Sequence, residues 1–137
     1  MGRIIAIDYG RKRTGLAVTD PQRIIATALD VIDSPKLINY LRSYFQKEEV
    51  DEIVIGLPKT LDNKEGEWSQ HVRTVGDHIQ KTFPTKPLHW LDERFTTTIA
   101  LRSMIDSGMK KKDRQTKGNA DKISATIILQ DFMTAKK

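Results

Sequence analysis

Acidic residues stand at three places in the chain where an apolar segment ends or begins. Asp8 closes an apolar run near the N-terminus, Asp92 and Glu93 close another, and Asp121 opens the last apolar segment. A strand fixes its last side chain while the following loop leaves room for a ligand. Carboxylates gathered at one sheet edge would repel one another unless a cation joined them, and hard oxygen ligands select Mg²⁺ or Mn²⁺.

Such a carboxylate cluster is typical of two-metal hydrolysis of a phosphodiester. One ion activates a water and the other stabilises the leaving oxygen, with the two metals roughly 4 Å apart. Each acid also has an ordinary structural explanation: Asp8 as a turn former before a glycine, Asp121 as a partner of the helix dipole, and Asp92-Glu93-Arg94 as a surface ion pair. Helical spacing predicts that the last helix packs an apolar stripe on the sheet, with Asp121 at its rim: Ala125, Ile128 and Phe132. Together the acids favour catalysis, because the strand-end and helix-rim placements are independent of each other.

A basic run between residues 109 and 119 leads directly into Asp121 and contains five cations against one acid. Lysine-rich loops are usually only solvated. Beside a metal cluster, however, such a loop would hold a nucleic-acid backbone with salt-dependent affinity. Arg13, in a glycine-containing hairpin after Asp8, would face a phosphate in the same way. The cations of the run are Lys110, Lys111, Lys112, Arg114 and Lys117.

Other residue types give weaker signals. Trp68 and Trp90 are predicted to pack in the core or at its rim, and no aromatic pair stands at a spacing typical of a base-stacking platform. His71 and His78 stand about two turns apart on one predicted helix, roughly 10 Å by the helical rise, which is too far for one metal, and His89 lies within a strand. No G-x-S-x-G segment indicates a serine hydrolase.

Hydrophobic periodicity predicts the elements that would position these residues. Three strands followed by strand–helix alternation predict an α/β fold whose sheet mixes parallel and antiparallel strands. A capping residue and a proline at Asp33-Ser34-Pro35 predict a helix start. The strands are expected over residues 3–8, 14–19, 24–32, 52–56 and 88–91, and the helices over 34–49, 68–82, 96–108 and 120–136.

Length and composition are those of one globular domain over residues 1–137. The absence of cysteine excludes a disulfide framework, a cysteine zinc site and a thiol nucleophile. No apolar run reaches the roughly 18 residues that a membrane span needs, so no membrane partner and a cytoplasmic location are expected. The formal net charge of +5 favours a polyanionic partner.

Four motifs in register resemble the YqgF family, also called RuvX-like, over essentially the whole chain. They are Asp8-x-Gly10-x-x-Arg13-x-Gly15-x-Ala17, Gly56-Leu57-Pro58, Asp92-Glu93-Arg94 followed by Thr97, and Asp121-Lys122-Ile123-Ser124-Ala125 with Ile128-Leu129-Gln130. The resemblance implies a ribonuclease H-like fold, with a five-stranded mixed sheet flanked by helices. It also implies a divalent-metal nuclease that matures the 5′ end of 16S ribosomal RNA. An older interpretation of the family is Holliday junction cleavage.

The resemblance assigns roles to individual residues. Asp8, Glu93 and Asp121 correspond to the catalytic, metal-binding acids, with Asp92 as a further candidate, and Arg13 and Arg94 to phosphate contacts. Two departures stand out. Asp62-Asn63-Lys64 replaces the family's usual Asp-Gly-Ser, which removes the usual serine contact, although Asn63 can adopt the left-handed conformation of the turn. Ser124 replaces a common alanine and is small enough for the same packing.

Three hypotheses follow. The first is a metal-dependent nuclease acting on structured RNA through Asp8, Glu93 and Asp121. The second is a junction-specific DNA endonuclease with the same metal site, for which a homodimer is expected because two strands are cut symmetrically. The third is a non-catalytic nucleic-acid-binding module that uses the basic run alone. Clustered carboxylates argue against the third, since a pure phosphate binder gains nothing from them.

Overall fold

The computed structural model describes residues 2–57, 66–92 and 119–136, with the side chains of residues 123–135 in the last range. All five predicted strands and three of the four predicted helices are confirmed. The predicted helix over 96–108 and the basic run up to residue 118 lie outside the described residues. The elements are β1 (Arg3–Asp8), β2 (Arg13–Thr19), β3 (Ala26–Asp33), a 3₁₀ turn (Ser34–Lys36), α1 (Leu37–Lys47), β4 (Val50–Leu57), α2 (Glu67–Thr82), β5 (Leu88–Asp92) and α3 (Asn119–Lys136).

The strands form one mixed sheet in the order β3-β2-β1-β4-β5. β1 pairs antiparallel with β2, and β2 pairs antiparallel with β3, so the first three strands form a meander. β4 runs parallel to both β1 and β5. Because β1, β4 and β5 point the same way, they end at the same edge of the sheet. We call this the carboxyl edge, and it is where Asp8, Leu57 and Asp92 lie.

Helices cover both faces of the sheet. Ile5 and Ile7 of β1 pack against α1 and α2, whereas Ile4 and Ala6 pack against α3. This alternation within one strand explains why β1 is apolar throughout, since both of its faces are buried. The stripe predicted on the last helix is confirmed, because its residues lie in the core beneath α3: Ala125, Ile128 and Phe132.

Strand β3 begins two residues later than the sequence predicts. The backbone N–H groups of Ile24 and Ile25 both donate to the Asp20 carboxylate, at 2.7 and 2.8 Å, instead of joining the ladder. Both isoleucines are therefore exposed, at 66% and 62%. The carboxylate receives these donors in a turn, and the backbone hydrogen bonds lower the pKa of Asp20.

The start of α1 also differs from the expected pattern. Asp33 makes no side-chain capping hydrogen bond, and Pro35 sits in a short 3₁₀ turn that precedes the α-helix. Ser34 is instead buried, and its backbone N–H donates to the Lys12 carbonyl at 2.9 Å. The position of the helix start is thus set by contact with the β1–β2 hairpin rather than by a cap.

An ion-pair network closes the opposite edge of the sheet. Arg23, at a φ of 59°, donates to Asp51 and to Glu52 at 2.9 Å each and to the Gly2 carbonyl. His89 lies 2.9 Å from the second oxygen of Glu52. The Gly2 amide and the Arg23 guanidinium lower the pKa of Asp51. These bonds hold the entry to β1 at the end of the sheet opposite the carboxyl edge.

Candidate functional site

Asp8 lies at the carboxyl edge as the last residue of β1, half-buried. Alternation places it on the α3 face with Ile4 and Ala6, which pack beneath that helix. Its partner across the antiparallel ladder is Gly15. Directly opposite residues share a face of the sheet, with Cβ atoms about 5 Å apart, so any side chain at position 15 would stand beside the carboxylate. Gly15 is itself buried and places no side chain beside the carboxylate.

The first turns of α3 lead to the same edge on the same face. The C-terminal half of α3, including Gln130 and Met133, lies beside Ile24 and Ala26 at the opposite edge. The helix therefore runs back across the sheet with its N-terminal end toward Asp8. Asp121 stands one turn before Ala125, on the same side of the helix, and Ala125 is buried against the sheet. Asp121 therefore belongs to the part of α3 that lies nearest the carboxyl edge.

Arg13 belongs to this face as well. It is the first residue of β2 and lies two residues before Gly15, in the series that continues to Ala17 under α3. The hairpin thus delivers one carboxylate and one guanidinium to the same side of the carboxyl edge. This is the arrangement in which Arg13 can hold a phosphate near Asp8.

Asp92 lies at the same edge but on the other face. In β5, Trp90 packs with the α1–α2 core and Leu91 with the α3 core. Asp92 is paired with Leu57, which also belongs to the α1–α2 core. Alternation therefore directs Asp92 away from Asp8. The structure brings Asp8, Arg13 and the start of α3 together and does not bring Asp92 to them.

The other predicted site residues lie outside the described residues: Glu93, Arg94, Lys110, Lys111, Lys112, Arg114 and Lys117. Within residues 2–57, 66–92 and 123–135, no three carboxylate or imidazole groups are grouped to hold a metal. Among the three predicted metal ligands, Asp8 is the one whose side chain is described. The donor chemistry fits a hard divalent cation, because Asp8 offers carboxylate oxygens at this edge and the sequence places a second acid, Asp121, in the first turn of α3.

A buried chain of hydrogen bonds supports the hairpin that carries Asp8 and Arg13. The Ser34 hydroxyl donates to the Gly10 carbonyl at 2.5 Å and accepts from the Thr14 hydroxyl at 2.8 Å. A Cβ at Gly10 would collide with the Arg13 carbonyl, so the tight turn needs glycine there. These contacts fix the loop between the two site residues.

An aromatic cluster that the sequence does not predict lies beside Asp8. Tyr9 and Trp68 stack with ring centroids 5.7 Å apart, and His71 lies 5.3 Å from Trp68. The Arg11 guanidinium sits 4.6 Å above the Trp68 ring. Trp68 does pack at the rim of the core, as predicted. Its partner Tyr9 is distant in sequence and reaches it because β4, which leads into α2, lies next to β1, so no local spacing could reveal the pair.

The comparisons with known proteins agree with one another. A family model described as RuvX, Holliday junction resolvase, matches residues 2–135. A protein of Bacteroides thetaiotaomicron named "Putative pre-16S rRNA nuclease" is 46% identical over all of this chain and 99% of its own length. One of the same name from Flavobacterium johnsoniae is 45% identical, with the same coverage.

Solved structures share the fold at low sequence identity. RuvC of T. thermophilus in complex with a Holliday junction substrate is 13% identical, with a TM-score of 0.60 over 99% of this chain and 96% of that one. The fowlpox virus resolvase with Holliday junction DNA is 15% identical, with a TM-score of 0.56 over 98% of each chain. The fold is thus the ribonuclease H-like fold of these resolvases. Among the described helices, none is long and apolar enough to cross a membrane.

Proposed function

The chain belongs to the RuvX family and is a nuclease that hydrolyses phosphodiester bonds, and we propose that its substrate is precursor 16S ribosomal RNA. Relatives with 44–46% identity over the full length, all named for this substrate, support the proposal. Such a substrate implies that the protein works in the cytoplasm.

The observation that carries the proposed mechanism is the convergence of Asp8 and the start of α3 at one edge of the sheet. Asp8, Asp121 and Glu93 would hold Mg²⁺ or Mn²⁺ there, Glu93 being assigned from its motif. A divalent ion bound to carboxylates supplies an activated water and neutralises charge on the leaving oxygen. Asp8 contributes a carboxylate fixed by its strand, and Gly15 opposite it places no side chain beside that carboxylate.

Cations on this face hold the substrate. Arg13 reaches the site from the start of β2, and its guanidinium matches the geometry of a phosphate. We assign Arg94 and the five cations of residues 110–117 to the same task from the sequence. Their role is to hold the backbone that flanks the scissile bond, and it predicts affinity that falls with salt.

Replacing Asp8 by Asn tests the mechanism. The substitution removes one negative ligand while keeping its size, so cleavage of precursor RNA in Mn²⁺ should fall to the level seen with chelator. The thermal midpoint should stay unchanged or rise, because a repulsive carboxylate is removed. Asp92→Asn is the matched control: it changes the same group at the same edge but on the other face, and should cleave within about twofold of the parent. Full activity of Asp8→Asn would overturn the mechanism.

Four-way DNA junctions are the second candidate substrate. The family description and the shared fold of two junction resolvases favour it. Incubating the protein with matched precursor RNA and four-way junctions, each with Mn²⁺ and with chelator, separates the two. Paired symmetrical cuts in the junction, together with a homodimer in solution, would favour the resolvase. Cleavage confined to the RNA would support the proposal.

A further inference from the structure

The aromatic cluster lines a cleft that is open to solvent. Tyr9, Trp68 and His71, with Arg11 and Glu67, surround a volume of about 420 Å³. Trp68 and Tyr9 are half-buried, whereas His71, Arg11 and Glu67 are exposed. Three π-systems and a guanidinium thus stand together at the surface, where burial of apolar area alone does not account for them.

The other tryptophan is seated differently in this fold. Trp90 lies so close to Gly76 of α2 that a Cβ there would overlap its ring. It fills a gap between β5 and α2 and does not line the open cleft. A guanidinium lies over each tryptophan ring, but Arg73, which lies over Trp90, is half-buried, whereas Arg11, which lies over Trp68, is exposed at the cleft.

The cleft adjoins the carboxyl edge at Asp8. Tyr9 follows Asp8 directly, so their Cα atoms are about 3.8 Å apart. Asp8 faces α3, while Tyr9 packs with the α1–α2 core. A nucleic-acid strand that crosses this edge with one phosphate at Asp8 would therefore carry a neighbouring nucleotide past Tyr9 and Trp68.

The chemistry of the cleft matches a nucleobase. Bases that have left a helix stack on aromatic rings and on guanidinium planes, and both surfaces are present. The Glu67 carboxylate can accept a hydrogen bond from an exocyclic amine. Lys12, next to Arg11 and exposed, adds positive charge for the flanking phosphates. A purely electrostatic phosphate site would not need three rings.

We propose that Tyr9, Trp68, His71 and Arg11 form a stacking site for one unpaired nucleobase adjacent to the scissile phosphate. The inference rests on the proposed nuclease function and adds a requirement for an unpaired base beside the cut. The substrate must therefore be single-stranded at that nucleotide. Asp8 faces the other side of the sheet, so base binding does not depend on its carboxylate.

Tryptophan emission tests the site without catalysis. The chain has two tryptophans, so Trp90→Phe leaves Trp68 as the single reporter. In chelator, a single-stranded RNA decamer should quench Trp68, and a decamer with the same phosphates but abasic sugars should not. Equal quenching by both strands, or none by either at concentrations that saturate binding, would overturn the proposal.

Affinity for the labelled decamer, followed by fluorescence anisotropy in chelator, provides a second readout in the otherwise unchanged protein. Tyr9→Leu should weaken binding about 5- to 150-fold, the range expected for loss of one stacked base, whereas Tyr9→Phe should bind within about twofold of the parent. Tyr44→Leu is the matched control, since Tyr44 belongs to a different stacked pair with Tyr40 on α1. Equal affinities for the leucine variants and the parent would refute the site. Because no cleavage is measured, failure of the metal mechanism would leave both readouts intact.

Discussion

At the scale of single residues, the proposed site needs a carboxylate on one strand and the absence of a side chain at the position opposite it on the next strand. Asp8 and Gly15 face each other across β1 and β2. The sequence alone identifies Asp8 as a strand-end acid and Gly15 as a motif residue. The structure adds the register of β1 against β2, which places Gly15 directly opposite Asp8 and so explains why a glycine is needed there.

Gly15→Ala tests this pairing. The added methyl would occupy the space beside the Asp8 carboxylate, and displacing a reacting group by about 1 Å can cost up to about 100-fold in rate. We therefore expect cleavage to fall by about 10- to 100-fold and the Mn²⁺ concentration for half-maximal rate to rise. Gly66→Ala is the control, because a Cβ there meets no atom within 4 Å, and it should cleave like the parent. An unchanged metal requirement in Gly15→Ala would contradict the assignment.

At the scale of elements, alternation and periodicity predict most of the sheet and the inner stripe of α3. They fail where a side chain competes with the ladder or with a cap. The Asp20 carboxylate accepts hydrogen bonds from the backbone amides that would have extended β3. Asp33 makes no capping hydrogen bond, and Ser34 bonds the β1–β2 hairpin instead. Such contacts join residues that are distant in sequence, so no local pattern contains them.

Ser34 is the residue through which α1 holds the hairpin, and Ser34→Ala tests that contact. Ser34 is 4% exposed, and its hydroxyl bonds both the Gly10 carbonyl and the Thr14 hydroxyl. Removing it leaves two buried polar groups without this partner, which should cost about 1–3 kcal/mol of unfolding free energy in a urea titration. Activity should fall as well, because the loop between Asp8 and Arg13 loosens. Ser43→Ala, at an exposed position of α1, should change neither quantity. A stability equal to that of the parent would show that the hairpin is held by other contacts.

At the scale of the whole molecule, the groups to which we assign function lie at one end of the sheet. The carboxyl edge gathers Asp8, Arg13 and the aromatic cluster, while the opposite edge is closed by the Arg23 network. The sequence predicts the acids because motifs keep their order along the chain. It does not reveal the cluster, because Tyr9 and Trp68 meet only when β1 and β4 pair. The sequence also does not predict on which face of the sheet Asp92 lies, because that depends on the pairing of Asp92 with Leu57.

Charge is the property of the whole molecule that most directly tests how substrate is held, because overall charge and local contact predict different outcomes. Two double variants lower the net charge equally, from +5 to +3: Lys110→Ala with Lys111→Ala in the basic run, and Lys47→Ala with Lys81→Ala at the C-terminal ends of α1 and α2. If each lysine of the basic run neutralises one phosphate of single-stranded RNA, the slope of log affinity against log salt should weaken by about 1.4 in the first variant. The second should keep the parental slope, since its lysines lie away from the carboxyl edge. Titrations at several salt concentrations in chelator measure both, and equal slopes in the two variants would mean that the basic run attracts the substrate only through overall charge.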